Sequence, residues 1–299
     1  MNEFSERDLP PGRHRLLKEH LMTEIRQSSD PKPARRPWLR PALVAGAAAA
    51  VAATALTLGV PSGSSGTPAA SKEAVALLED IALAAEKSEV PGGIRDDQFV
   101  YIKSRDAYAG HVDGRRVPLE PVHDREIWLS VDGTREGLLE EDRPGSEPVP
   151  LEPGSPDNER AIHYRALSKL PADADEMRDW LYRTAAAQVD EERPDRDHAA
   201  FVLFGDLIRE SLMPPEVGAA LYRAAATIPG VEVVHGVKDS VGREGVAITR
   251  TGEGEREEMI FDEETLTFLG ERVVGAGGLV DGTSAVLKRT VVDRAGERP

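Results

Sequence analysis

Between Pro41 and Val60 the chain runs for twenty residues without a charge, "PALVAGAAAAVAATALTLGV", and no other stretch narrows its architecture so sharply. A helix of that length is about 30 Å long at 1.5 Å per residue, which matches the hydrocarbon core of a bilayer. Nine alanines make the run only moderately apolar, so its three Leu and three Val carry the insertion energy, roughly −0.3 to −0.6 kcal/mol each. The flanks then decide the reading. Lys32, Arg35, Arg36 and Arg40 precede the run, Trp38 stands where an interfacial aromatic belongs, and "PSGSSGTPAAS" follows with no charge until Lys72. Positive charge stays cytoplasmic, so the run is expected to be an uncleaved transmembrane helix with its N-terminus inside and the C-terminal body outside. A soluble core helix would need a polar face that this run lacks. A cleaved leader would need a shorter basic region and a small-residue cleavage site.

This reading divides the chain into a cytoplasmic tail (1–37), a transmembrane helix (38–60), a flexible linker (61–70) and an extracytoplasmic domain (71–299). In the tail, "RHRLLKEHLMTEIRQ" places Leu16, Leu17, Leu21, Met22 and Ile25 along one side of a helix, with Arg13, Lys18, Glu19 and Glu24 toward the other. Such a stripe calls for a cover, either the membrane surface or a cytoplasmic protein partner. Charge separates the two ends further. Residues 1–40 carry a net +3, which leaves −19 of the total −16 for the remainder. A body that acidic repels nucleic acid. The chain has no cysteine, which removes disulfides, thiolate zinc sites and lipid attachment through an N-terminal Cys.

The body alternates between two periodicities. "SKEAVALLEDIALAAEKS" begins at Ser71, a good N-cap, and repeats apolar residues at Val75, Leu78, Ile81, Ala82 and Ala85, which predicts a helix. "QFVYIKSRDAY" and "REIWLSVDGTREGLL" alternate with period two and carry an Asp132-Gly133 turn signal, so they predict antiparallel strands. The Pro/Gly-rich "RPGSEPVPLEPGSPDNE" is expected to be an exposed loop. Three helices follow, turning Met177, Trp180 and Leu181, then Phe201, Phe204, Ile208 and Leu212, then Val217, Leu221, Ala224 and Ile228 inward. "VEVVHGVKD", "GVAITRT", "REEMIFD", "TLTFLGERVV" and "SAVLKRTVV" complete a five-strand meander. The fold class is therefore α+β, an antiparallel sheet with helices on one face. "VDGT" at 131–134 returns at 280–283, and reads as turn chemistry used twice rather than as a repeat.

Chemistry is sparse along this chain. His111, His123, His163, His198 and His235 show no metal-ligand spacing, and His111-Val-Asp113 and His123-Asp124 come nearest to a base with its orienting acid. Ser29-Asp-Pro-Lys32 matches a nucleophile motif only as a string, in a linker with no core to hold it. The acidic "DEERPDRDH" lacks the Gly and terminal Glu of a calcium loop, and reads as a connection that caps the next helix. Tyr101 and Trp128 read as cross-strand packing. The residues thus predict no catalytic, cofactor or metal site, and no enzyme.

"LPPGRHRLLKEHLMTEI", "EIWLSVDGTREGLL", "FGDLIRESLMPPEVGAALYRAAATIPGVEV", "EEMIFDEETLTFLGER" and "TVVDRAGERP" resemble a family of actinobacterial single-pass membrane proteins of unassigned activity, across nearly the whole chain. The resemblance implies companionship with extracytoplasmic-function sigma factors, hence anti-sigma or related signalling, although zinc-type anti-sigma factors carry the cysteines this chain lacks. The order of elements is similar to the LolA-like lipoprotein-carrier half-barrel. The expectation is a membrane-anchored regulatory protein with an extracytoplasmic sensor domain and a sigma factor as its cytoplasmic partner. The alternative is an extracytoplasmic module for a lipid or another apolar ligand, with the tail as a mere tether.

Overall fold

A computed structural model of the protein describes residues 67–112, 115–154, 162–186, 195–252 and 254–299. The expected tail, the expected transmembrane helix and most of the expected linker, with Leu16, Leu17, Leu21, Met22 and Ile25, lie outside the described residues. Among those described, no helix is long and apolar enough to cross a membrane.

Helix α1 (Lys72–Glu86) starts where Ser71 Oγ accepts from the Ala74 amide at 3.1 Å. It buries Ala74, Leu78, Ile81 and Ala82, but Val75, expected inward, is exposed. Ala74 and Val75 both lie one turn before Leu78, and the close approach of α5 (Pro215–Ala225) selects the smaller of the two. Helices α2 (Tyr164–Leu167), α3 (Ala174–Ala185) and α4 (Arg196–Arg209) complete the layer. Asp173 caps α3 by accepting from the amides of Asp175 and Glu176, and the residues predicted to face inward on α3 to α5 are buried, with Leu212 beyond α4 partly so.

The strands are β1 (Phe99–Tyr108), β2 (His111–Val112), β3 (Arg115–Arg116), β4 (His123–Ser130), β5 (Gly137–Glu141), β6 (Val149–Leu151), β7 (Val231–Lys238), β8 (Glu244–Gly252), β9 (Glu255–Phe261), β10 (Phe268–Val274) and β11 (Val280–Val292). Nine of them form one sheet in the order β6-β5-β4-β1-β11-β10-β9-β8-β7, with every pairing antiparallel. The meander β7–β11 therefore joins the earlier strands only through β1 and β11, which run side by side from Phe99↔Val292 to Tyr108↔Gly282. Two expectations are corrected here. Val149–Leu151, placed in an exposed loop, is an edge strand, and its Pro150 is tolerated because an edge strand has one unpaired side. The second "VDGT" is no turn but the start of β11, whereas the first forms a turn with Gly133 at φ 78°.

One face of the sheet meets the helices. Val100, Ile102, Ile127, Leu129, Ile248 and Phe261 join Leu78, Leu181, Phe201 and Leu221 in the main core. Each fully buried side chain of this size contributes about 1.5–3 kcal/mol. Phe201, Phe204, Tyr222, Phe261 and Phe268 form a chain of ring contacts with centroids 5.6–5.9 Å apart. On the other face, Phe99, Tyr101, Trp128 and Val292 form a smaller cluster. The C-terminal residues cover it: Trp128 Nε1 donates to the Glu297 carbonyl at 2.7 Å, and the Arg298 guanidinium lies 5.4 Å from the Trp128 ring centre. The β7–β8 turn is tied across the strands as well, with Arg243 donating to the carbonyls of Leu269 and Val286 and Ser240 to that of Arg105.

Candidate functional site

Polar residues occupy core-facing positions on several strands. On β1, the parity that turns Val100 and Ile102 toward the helices also turns Ser104, Asp106 and Tyr108 there. On β4, Ile127 and Leu129 bring Arg125 and His123 to the same face, where they pair with Ser104 and Asp106. The last turn of α4 adds Asp206 and Arg209, Glu210 follows at once, and β10 supplies Glu271. Asp106, at 2% exposed, and Asp206, at 8%, are deep in this cluster.

The contacts join into one network. Arg125 lies 3.1 Å from Glu210 through Nη2 and, through Nε, 3.9 Å from Asp106 and 3.8 Å from Glu141. Arg209 lies 3.2 Å from Glu210 and 3.8 Å from Asp206, pairs closely with Glu271 and donates to the Tyr108 hydroxyl at 3.4 Å. Ser104 donates to Asp106 at 3.2 Å. Asp106, Asp206, Glu210 and Glu271 thus share two guanidinium groups. Asp106 Oδ1, Asp206 Oδ2, Arg209 Nε and His123 Nε2 are buried with no hydrogen-bond partner among the described residues.

A buried carboxylate without full compensation holds its proton. Burial pushes the Asp206 carboxyl up to about 7, against the pull of Arg209 and with help from Glu271, Glu210 and Glu257. Burial pushes Asp106 up to about 6, opposed by Arg125 and Arg209 and aided by Glu210 and Glu271. Burial works against the charge of Arg125 too, but Glu210 and Asp106 outweigh it and keep that guanidinium above its ordinary value. The arrangement can therefore take up and release protons. Among the described residues, no group of three or more His, Asp or Glu is placed to hold a metal ion.

Neither end of α4 is free. Its N-cap Asp195, the last Asp but one of the acidic "DEERPDRDH", accepts from the His198 amide at 2.8 Å and grips Arg250 in a two-pronged pair at 2.8 and 3.1 Å. At the C-terminal end, Arg289 from β11 donates to the carbonyls of Ile208 and Arg209, which complements the helix dipole.

The structure separates the sequence's other candidates. His123 and Asp124, adjacent in the chain, point to opposite faces of β4, so they cannot act as base and orienting acid; the His111 side chain lies outside the description. His163 Nδ1–H donates to the Ser130 carbonyl at 3.0 Å, and burial lowers its affinity for a proton, so it props the Asp132-Gly133 turn as a neutral ring. Tyr101 and Trp128 pack across strands as expected, with tilted rings whose centroids are 5.2 Å apart. A hollow of about 300 Å³ near β5 is lined by acidic residues, among them Asp124, Glu126, Glu140, Glu141 and Glu147, together with Arg298.

No family model matches the chain, and no curated protein matches it. Among solved structures it is similar to the Pseudomonas aeruginosa MucA/MucB complex, at 11% identity and a TM-score of 0.25 over 75% of this chain and 58% of that one. It is likewise similar to MucB in complex with MucA(peri), at 11% identity and a TM-score of 0.24 over 76% of this chain and 57% of that one. The chain therefore spans less than two thirds of both. Likeness at these scores decides neither a fold family nor a partner.

The ionic cluster escaped the sequence reading, although a signal was present. Asp106 and Arg125 continue the parity of apolar residues on their strands, where solvent-facing polar residues would break it. Asp206 lies within an otherwise apolar helix run in the same way.

Proposed function

We propose that the protein is a single-pass membrane regulator whose residues 71–299 form an extracytoplasmic sensor domain, coupled by the 38–60 helix to a cytoplasmic tail that engages a sigma factor. The observation that carries this reading is the charge asymmetry about the uncharged run, with four cationic residues before it and Lys72 alone in the segment after it. The folded α+β domain follows closely, with Pro68 already accepting from the Gly230 amide and Ser71 capping the first helix. The sigma-factor partner comes from the family resemblance, and the apolar tail stripe Leu16, Leu17, Leu21, Met22 and Ile25 supplies a surface of the chemistry such a contact needs. The half-barrel reading of the domain rests on its nine-stranded sheet with helices against one face.

The apolar-ligand alternative requires an unfilled apolar hollow. The helix-facing side of the sheet is instead packed by Phe201, Phe204, Tyr222 and Phe261, and the hollow beside β5 is acidic. A two-hybrid assay between residues 1–37 and the extracytoplasmic-function sigma factor encoded nearest to this chain tests the reading. Binding is expected, with its loss in Leu17→Asp/Leu21→Asp. A tail that binds no sigma factor, or binds equally well with both aspartates, reduces it to a tether.

A further inference from the structure

We propose that the cluster under the C-terminal end of α4 is a proton-operated latch: protonated Asp106 and Asp206 hold the helix on the sheet, and their ionisation loosens it. The inference deepens the sensor reading by naming its stimulus, external pH, and rests on that reading for its signalling role alone. Its geometry comes from two sides. The sheet floor presents Asp106 and Tyr108 from β1, His123 and Arg125 from β4, Glu141 from β5, Glu257 from β9 and Glu271 from β10. From above, α4 brings Asp206 and Arg209, with Glu210 beyond its end.

Even with Arg143 paired to Glu141, Arg125 and Arg209 cannot neutralise all the carboxylates they face, and Asp106 Oδ1 and Asp206 Oδ2 have no donor among the described residues. Each uncompensated oxygen is therefore a place for a proton. When the proton leaves, a further negative charge appears beside Glu210 and Glu271, which share Arg209 with Asp206, in a setting of low dielectric where repulsion is strong. The strain falls on one joint, because Asp206 belongs to α4 while Asp106 and Glu271 belong to the sheet. Arg289 holds the same helix end through backbone carbonyls, so loosening is a hinge-like release about that tie rather than loss of the domain.

The sign follows from linkage. Each carboxyl binds its proton more tightly folded than unfolded, so the folded form is favoured in mild acid and loses that advantage as pH rises through about 6 for Asp106 and about 7 for Asp206. For a carboxyl near 7 when folded, the unfolding constant rises by up to about a hundredfold between pH 5 and 8.

The test uses the full chain in detergent micelles, with denaturant unfolding and amide exchange of Leu207–Glu210 followed at pH 5 and pH 8. Wild type is expected to lose stability and exchange faster at pH 8. Asp206→Asn should remove most of that difference and Asp106→Asn/Asp206→Asn all of it, while His123→Gln keeps it. A slope that is absent from wild type, survives in the double variant or disappears with His123→Gln overturns the latch. Infrared spectra of wild type give a check independent of the variants' folding: protonated-carboxyl intensity must be present at pH 5 and lost by pH 8, and its absence at pH 5 also overturns the proposal. A latch that titrates in a protein whose tail binds no sigma factor leaves the latch standing and removes the signalling role.

Discussion

Single charged residues in this domain matter through the partner each leaves behind. Arg250 is 2% exposed and its charge is met by Asp195, which also caps α4. Asp195→Ala removes the cap, costing about 0.5–2 kcal/mol, and leaves the buried guanidinium with Asp197 at 4.0 Å and the Pro229 carbonyl, where breaking a buried pair costs about 3–5 kcal/mol. Asp195 is itself 31% exposed, so water recovers part of the second amount. The expected loss is at least about 2 kcal/mol in denaturant titration, and Asp195→Asn, which retains a capping oxygen, should lose less. Burial works against the Asp195 carboxylate, but hydrogen bonds from Arg250 outweigh it and hold its pKa below the ordinary carboxylate value. Its contribution is therefore complete above about pH 4 and declines as pH falls further, a dependence that Asp195→Ala should erase.

At the scale of elements, α4 has two ends with opposite responses to protons. The N-terminal end is held by an ionised Asp195 and weakens in acid, while the C-terminal end rests on protonated Asp206 and weakens toward alkaline pH. Strand β10 is as tightly placed. A Cβ added at Gly270 would lie 2.1 Å from the Ser284 carbonyl oxygen, a backbone atom with no side-chain freedom to retreat, beside the bulge between Phe268 and Gly270. Gly270→Ala is thus expected to cost about 1–3 kcal/mol, read as a lowered midpoint of thermal unfolding. Because Glu271 follows directly, the variant should also shift the pH dependence assigned to the cluster. A fully stable Gly270→Ala protein would show that the β10–β11 joint yields more readily than its geometry indicates. Elements of this kind were largely legible: the meander strands and the inward faces of α3 to α5 follow simple periods. Val75 and β6 were not, because the first depends on which helix approaches α1 and the second on whether a Pro-containing segment finds a sheet edge.

For the whole molecule, the sharpest expectation is topology. If the proposed topology holds, with the basic flank kept cytoplasmic, an alkaline phosphatase fusion after Pro299 should be active and one after Pro37 inactive. On the proposed topology the Ala-rich run has only a thin margin for insertion, because a charge at its centre costs about 2.5–3.5 kcal/mol, comparable to what its Leu and Val supply. Ala49→Arg should therefore leave the Pro299 fusion inactive; normal insertion of that variant would argue against a span with so small a margin. Charge order and apolar period are properties of neighbouring residues, so the chain alone carries the expected topology, the α+β class and most of the helix and strand positions. What the tertiary structure decided are matters between distant residues. "VDGT" shows the difference: at 131–134 it turns, with Gly133 at positive φ and Asp132 accepting from Thr134, whereas at 280–283 it lies in β11 with Asp281 paired to Arg116 and Gly282 opposite Tyr108. Identical local preferences were overruled by strands some 170 residues away in sequence. The ionic cluster follows the same logic, because a carboxylate's proton affinity depends on what covers it, and only folding places Asp206 above Asp106.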